Sequence, residues 1–209
     1  MLQKEQEVIE LFQKLETSNT VITTSAGSTS LVLIDLLYRS NVKIPVVFID
    51  TGFLFQKTID FFTQNKAKYF NIEFITLISS YNRSEFLENG KILNTEYCCK
   101  KNKVDLLRNY LIKNKIEYWI SGPRKTQTNL RKNLSLYEKT NFGTTKVYPM
   151  LEWTEDEMMH YLKEKELPLN PLYYEGYESI GCYPCTQKGQ GRDGRWNGEK
   201  TECGLHIRT

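Results

Sequence analysis

The sequence predicts an α/β fold, a parallel sheet with flanking helices and an irregular C-terminal tail, and three observations carry that expectation. Short apolar runs alternate with helical segments of about 10 to 15 residues, which demands crossover connections and hence parallel pairing. The first of these strands runs directly into a helix through a loop of small residues. After Tyr148 the alternation stops, and from Pro168 onward Gly, Pro and Tyr are abundant, the mark of irregular structure packed over the sheet.

Taken in order, Val8, Leu11, Phe12 and Leu15 recur at helical spacing, so an amphipathic helix opens the chain. A strand is expected over 20–24, a helix over 31–38, a buried strand over 45–50, a helix over 55–69 and a strand over 72–77. A further helix over 104–113 precedes a strand over 116–121. Residues 153–165 read as one helix with an acidic start, Thr154 as N-cap and Glu157 completing a capping box. Ligands of such sheets sit at the carboxyl ends of the strands, so the loops there should carry the chemistry.

A length of 209 residues fits a single domain spanning 1–209, and 40% hydrophobic residues suffice for a core without disulfides. Twenty-eight Lys and Arg against 25 Asp and Glu leave a net charge of +3, too small for a chain that coats nucleic acid along its length. The charge is uneven, because Cys98 to Lys132 holds ten basic residues against Asp105 and Glu117, and an anionic partner is the first expectation. Gln3, Lys4, Glu5 and Glu7 interrupt any leader-like apolar run, and no stretch approaches the roughly 20 apolar residues of a membrane span. A soluble, cytoplasmic protein with no membrane partner is expected. Five cysteines, arranged as Cys98-Cys99, Cys182-x-x-Cys185 and a lone Cys203, suit a metal site and a free thiol better than paired disulfides.

Three strand-end loops stand out. Thr23 to Ser30 combines small residues and hydroxyls with a helix start; Ser25, Gly27 and Ser28 form a candidate anion cradle, although an ordinary Ser/Thr-rich helix cap would look the same. The Gly-Lys-Ser/Thr ending of a Walker A loop is absent. Asp50-Thr51-Gly52 places a carboxylate where it could accept from a ribose or an adenine amino group. Ser121-Gly122-Pro123-Arg124-Lys125, followed by Gln127 and Arg131, offers guanidinium forks for phosphate or sulfate oxygens, against the commoner alternative of a solvated basic face. Gly189 to Gly194 matches GxGxxG but has no strand before it and too little chain after it for a βαβ unit.

Cys182 and Cys185 have the knuckle spacing that lets two thiolates share one centre, and Cys98 and Cys99 supply two more. Four thiolates fit zinc or an iron–sulfur cubane. Adjacent cysteines point apart, which is awkward for one small ion and suits two irons of a [4Fe-4S] cluster. Buried unligated thiols are the bland alternative. Cys203 is either an incidental terminal residue or a nucleophile that swings between two partners. His206 lies three residues on and could favour its thiolate. His160, between Met159 and Tyr161, is assigned to structure.

Together these residues resemble the assimilatory adenylyl-sulfate (APS) and phosphoadenylyl-sulfate (PAPS) reductases, over nearly the whole chain. The resemblance rests on Ser25-x-Gly27, Ile49-Asp50-Thr51-Gly52, Cys98-Cys99 with Lys103, Ser121-Gly122-x-Arg124 with Gln127 and Arg131, and Asn170-Pro171-Leu172. It continues through Gly176 to Thr186, Gly194-Arg195-Trp196 and the terminal Lys200 to His206. Asn102 stands where an arginine is common, Pro123 where a leucine is typical, and Asn197-Gly198 where aromatics are frequent. The resemblance implies a fold similar to the adenine-nucleotide alpha hydrolases and, from the two cysteine pairs, the branch that carries a [4Fe-4S] cluster and mostly uses APS. It implies that Cys203 attacks the sulfur of the sulfate, AMP leaves, and reduced thioredoxin or glutaredoxin releases sulfite from a Cys203 S-sulfo intermediate.

In that reading residues 186–209 are a mobile C-terminal segment carrying the nucleophile. Lys103, Arg124, Arg192 and Arg195 neutralise the phosphosulfate, and Ser25, Gly27, Ser28, Asp50, Thr51, Gly52, Gln127, Arg131 and His206 complete the substrate site. The opening loop lacks the Gly-Gly-Lys-Asp-Ser run of ATP pyrophosphatases, which argues against ATP cleavage. The rivals are a PAPS reductase, a noncatalytic iron–sulfur protein binding nucleic acid through the basic stretch, and a tRNA-thiolating sulfurtransferase. No nucleic-acid partner is expected, and a homo-oligomer is left open.

Overall fold

Helix α1 (Leu2–Leu15) turns Val8, Phe12 and Leu15 inward, as its spacing demands, and feeds β1 (Thr20–Thr24). The computed structural model describes residues 2–16, 18–196, 202 and 204–205. From β1 the chain passes through α2 (Ser28–Ser40), β2 (Val46–Asp50), α3 (Gln56–Lys66) and β3 (Phe74–Ile78). A small hairpin follows, β4 (Leu87–Glu88) and β5 (Lys91–Ile92), turned by Asn89 and Gly90 with φ of 49° and 77°. Positive φ at both turn positions matches the right-handed twist of paired strands, which is why Asn-Gly suits this turn.

The expected helix over 104–113 is longer than its apolar spacing suggests. It begins as α4 (Thr95–Cys99), continues through a π-helical turn (Lys100–Val104) and ends as α5 (Asp105–Lys113). The π turn breaks the 3.6-residue register, so only the Leu107 and Leu111 stretch shows the expected pattern. Beyond β6 (Tyr118–Ile120) lie two strands that the periodicity does not predict, β7 (Tyr137–Lys139) and β8 (Thr145–Val147). Each is three residues of mixed polarity, too short for alternation to register. The last helix, α6 (Glu155–Glu164), carries the predicted capping box: Thr154 Oγ1 accepts from Glu157 N at 3.1 Å, and Glu157 Oε2 accepts from Thr154 N at 2.8 Å.

Six strands form one sheet in the order β3, β2, β1, β6, β8, β7, with every neighbouring pair parallel except β7 and β8. Alternation along the strands divides the core. Ile22, Val46, Phe48, Ile120 and Val147 face α1, α2, α3 and α6, whereas Val21, Val47, Ile49 and Trp119 face Leu107 and Leu111 of α5. β2 and β3 extend from one side of β1, and β6 pairs with its other side. The strand order therefore reverses between β1 and β6, and a crevice opens at their carboxyl ends. No helix among the described residues is long and apolar enough to cross a membrane.

Candidate active site

At that crevice lies a cavity of about 240 Å³. The loop after β1 forms one wall, with Ser25, Gly27, Ser28, Thr29 and Ser30 on its lining. Gly27 is the N-cap of α2 and makes no side-chain cap bond, so the expected Ser/Thr cap is not how this loop is used. Thr24 Oγ1 accepts from Ala26 N at 3.1 Å and Ser30 Oγ from Ser25 N at 3.3 Å, holding Ala26 at φ 55°. The loop is thereby folded back on itself, and the N-terminus of α2, with its partial positive charge, abuts the cavity.

The facing wall is cationic. Lys103, Arg131, Arg192 and Arg195 line the cavity with Ser121, Gly122, Pro123 and Gln127. Arg195 is nearly buried; its guanidinium stacks 4.3 Å from the Trp196 ring centroid, and Nη1 donates to the Ile180 carbonyl at 3.3 Å. Gly181 makes room for it, since a Cβ there would meet Arg195 Nη2 at 2.2 Å. A third side, Phe48, Ile49, Leu54 and Leu169, is apolar. A flat apolar group and a multiply charged anion could therefore share one cavity.

The other expected residues sit elsewhere. Asp50 turns into its own loop, Oδ1 accepting from Gly52 N at 2.9 Å, and Thr51 lies beside Cys182 with Oγ1 and Sγ 3.2 Å apart. Asp50, Thr51 and Gly52 are absent from the cavity lining. Arg124 is also absent from it: the side chain is buried, Nη2 pairs with Glu155, and Nε and Nη1 have no hydrogen-bond partner among the described residues. The basic stretch as a whole is less available than its charge suggests, because Lys100 pairs with Asp105, Lys125 with Glu152 and Arg131 with Glu202. Cys203 and His206 lie outside the described residues. Asn170, Glu178, Ser179 and Trp196, which lie in the motifs of the resemblance but are not assigned to the site there, also line the cavity, as does Tyr173, which the sequence does not single out. Asn170 Oδ1 caps the turn that follows by accepting from Leu172 N at 3.1 Å, an arrangement that the Asn-Pro dipeptide signals.

Beside the cavity the two cysteine pairs approach one another. Burial pushes the Cys98 and Cys185 thiols up to about 11, and the neighbouring sulfurs Cys182 and Cys99 add to both shifts. Phe53 and Phe86 pack against Cys98, with Leu87 and Ile92 of the hairpin and Cys182 at the margin. Asn102, in the π turn, donates from Nδ2 to the Cys98 carbonyl at 3.2 Å and approaches its Sγ at 3.5 Å. These four cysteines form no disulfide among the described residues. Four soft donors from two distant segments, in an apolar setting, match the donor set of an iron–sulfur centre. Among the described residues no three His, Cys, Asp or Glu side chains are grouped so as to hold a metal ion.

Residues 19–188 match the phosphoadenosine phosphosulfate reductase domain. The adenosine 5'-phosphosulfate reductase of Staphylococcus haemolyticus is 35% identical over 216 residues, covering 96% of this chain and 86% of that protein. Among solved structures, the phosphoadenylyl-sulfate reductase of Candida auris superposes with a TM-score of 0.71 at 24% identity, over 86% of this chain and 88% of that one. The FMN adenylyltransferase of Candida glabrata, solved with FMN and an ATP analogue, superposes with a TM-score of 0.64 at 18% identity, over 90% of this chain and 64% of that one. The two solved structures share the α/β fold of this chain. With a family match across most of its length and a relative of this similarity, the chain belongs to the phosphoadenosine phosphosulfate reductase family.

Proposed function

We propose that this protein reduces adenosine 5'-phosphosulfate to sulfite and AMP with electrons from thioredoxin, through a Cys203 S-sulfo intermediate. The observation that carries the reading is the single cavity in which the N-terminus of α2 faces Lys103, Arg192 and Arg195 beside an apolar wall. Uncapped helix N–H groups and charge-assisted donors on opposite sides suit a phosphosulfate, and the apolar side suits an adenine. The relatives named adenosine 5'-phosphosulfate reductase favour APS over PAPS.

The Cys203 thiolate attacks the sulfonate sulfur; an Sγ–S bond forms as the S–O bond to AMP breaks, and AMP leaves with that electron pair. A thiolate of reduced thioredoxin then attacks Cys203 Sγ, and sulfite departs with the pair of the Sγ–S bond. The second thioredoxin thiol resolves the mixed disulfide and returns Cys203 as a thiol, so two electrons from the dithiol reside on sulfite. Lys103, Arg192 and Arg195 offset the charge that otherwise repels an anionic nucleophile. Arg124, behind the wall, is buried and pairs through Nη2 with Glu155, while Gln127 Oε1 accepts from its backbone N at 3.0 Å. Cys98, Cys99, Cys182 and Cys185 would hold a [4Fe-4S] cluster, which when bound supplies a covalent tie between the α4 segment and the 182–185 loop. Thiols without disulfides and a thioredoxin partner suit a reducing cytoplasm.

Sulfite release from APS and PAPS, side by side, with and without thioredoxin, tests the reading. Turnover of APS only with thioredoxin is expected, and APS alone should add one sulfonate mass to the Cys203 peptide. Faster turnover of PAPS would reassign the substrate, and sulfite release by Cys203→Ser would overturn the mechanism.

A further inference from the structure

Arg131 reads from sequence as a ligand for phosphate or sulfate, yet its guanidinium is already filled by a carboxylate from the far end of the chain. Arg131 Nε donates to Glu202 Oε1 and Nη2 to Oε2, both at 2.7 Å, in the parallel fork that gives an Arg–carboxylate pair its geometric specificity. Thr128 Oγ1 donates to Glu202 Oε1 at 2.7 Å, and Arg192 Nη2 stands 3.7 Å from Oε2. Gln127 Oε1 takes the remaining Arg131 Nη1, so the loop after β6 is assembled around this one carboxylate. Glu202 is 3% exposed and Arg131 5%. A buried pair of this kind is costly to break, because removing one partner strands the other's charge.

A second anchor lies three residues on. Lys146 Nζ donates to the Leu205 carbonyl at 3.1 Å, and Leu205 packs on the core cluster that contains Trp119, Leu107 and Leu111. Gly204 permits that approach, since a Cβ there would meet Val104 Cγ2 at 2.8 Å. Leu205 also lines the cavity. The two anchored positions, Glu202 and Leu205, bracket Cys203 in the sequence.

We infer that Glu202 is a positioning residue for the adjoining nucleophile: the Glu202–Arg131 fork fixes Glu202 beside the cavity, and Arg131 serves that carboxylate rather than the substrate. The inference rests on the reading of Cys203 as nucleophile. A fixed neighbour restricts where the adjoining thiolate can be, and that restriction favours its approach to a bound sulfonate.

The test uses the full-length holoprotein, wild type, Glu202→Gln, Arg131→Lys and the double variant. Hydrogen–deuterium exchange of the C-terminal peptide without substrate, the dissociation constant for AMP, and kcat and KM for APS are measured on each. Glu202→Gln should speed exchange of that peptide and lower kcat by about 10- to 100-fold, the scale of a misplaced reacting group, with AMP affinity held within about twofold. Arg131→Lys should behave likewise, and the double variant should fall no further than the worse single one, as expected for residues acting as a unit. Unchanged exchange in Glu202→Gln, additive losses, or AMP affinity falling in step with kcat would overturn the inference. The last result would return Arg131 to the substrate. If Glu202→Gln does not fold, Thr128→Val removes one donor to the carboxylate and carries the same measurements at smaller amplitude. Should the wild type reduce neither APS nor PAPS, the proposed function fails, while the exchange data still decide whether the fork fixes Glu202.

Discussion

Gly194 shows how little room surrounds the cationic wall. Its backbone carbonyl accepts from Gln187 N at 2.7 Å, and a Cβ at this position would lie 2.1 Å from the Gln187 carbonyl oxygen. A backbone atom cannot rotate away as a side chain can, so the loop itself must move, and that loop delivers Arg192 and Arg195. Gly194→Ala is expected to cost about 1–3 kcal/mol, the usual range for overpacking, and to weaken AMP binding as Arg195 leaves Trp196. Thermal denaturation and an AMP titration check both; unchanged affinity would mean that Arg195 does not touch the nucleotide site. The three-glycine pattern over Gly189 to Gly194 is thus explained by a loop closed on itself, with Gly189 N donating to the Gly176 carbonyl at 3.0 Å, rather than by a nucleotide fingerprint.

At the scale of elements, α6 is fastened to α1 and α2 by polar contacts rather than by its apolar face alone. Lys4 Nζ reaches both Glu157 carboxylate oxygens at 2.7 Å and the Glu152 carbonyl at 2.9 Å. On the other flank Tyr161 donates to Asp35 Oδ2 at 2.6 Å and accepts from Arg39 Nη1 at 2.9 Å, while Arg39 pairs with the buried Glu5. The Lys4 ammonium, with the capping-box N–H of Thr154, holds the Glu157 carboxyl below its ordinary value. A carboxyl depressed in the folded state contributes stability above its unfolded pKa, near 4.3, and loses it as pH falls through the lower folded value. Lys4→Met should therefore reduce the loss of stability on acidification across that window, by under about 1 kcal/mol because the pair is partly exposed. Urea midpoints measured from pH 6 downward would show it, and parallel curves for the two proteins would refute it.

For the whole molecule, the two cysteine pairs from 98–99 and 182–185 lie near enough to influence one another's thiols. Burial pushes the Cys98 and Cys185 thiols up to about 11, so the cluster proposed above would displace their protons on binding, and its binding free energy would become folding free energy. On that proposal Cys98→Ser and Cys185→Ser are each expected to lose most iron, sulfide and visible absorbance and to melt at one shared, lower temperature, since both would lose the same centre. Iron analysis and calorimetry of anaerobic protein provide the check. Full iron retention in either variant would remove that cysteine from the ligand set, and stoichiometric zinc without sulfide in the wild type would replace the cluster. Of the ten basic residues between Cys98 and Lys132, Lys100, Arg124, Lys125 and Arg131 pair with acids, three of these drawn from outside that stretch.

By itself the sequence determined what neighbours along the chain decide. β1 and β2 sit within a residue of their expected limits, because Thr20 to Thr24 and Val46 to Asp50 are short, largely β-branched runs bounded by loop residues. The α6 capping box likewise depends on two residues three apart. The cysteine pairs, the small-residue loop after β1 and the family resemblance are local patterns too. Only the tertiary structure decided which charges meet. Nothing near Arg131 in sequence announces Glu202, 71 residues away, and nothing near Arg124 announces Glu155. Likewise Asp50 spends its carboxylate on its own turn, and β7 and β8 gain strand geometry from β6 rather than from their composition. A pattern of apolar residues specifies which face is buried, because burial depends on each residue's own chemistry. A charged side chain can pair with any opposite charge within reach, and the packed sheet and helices determine which one that is.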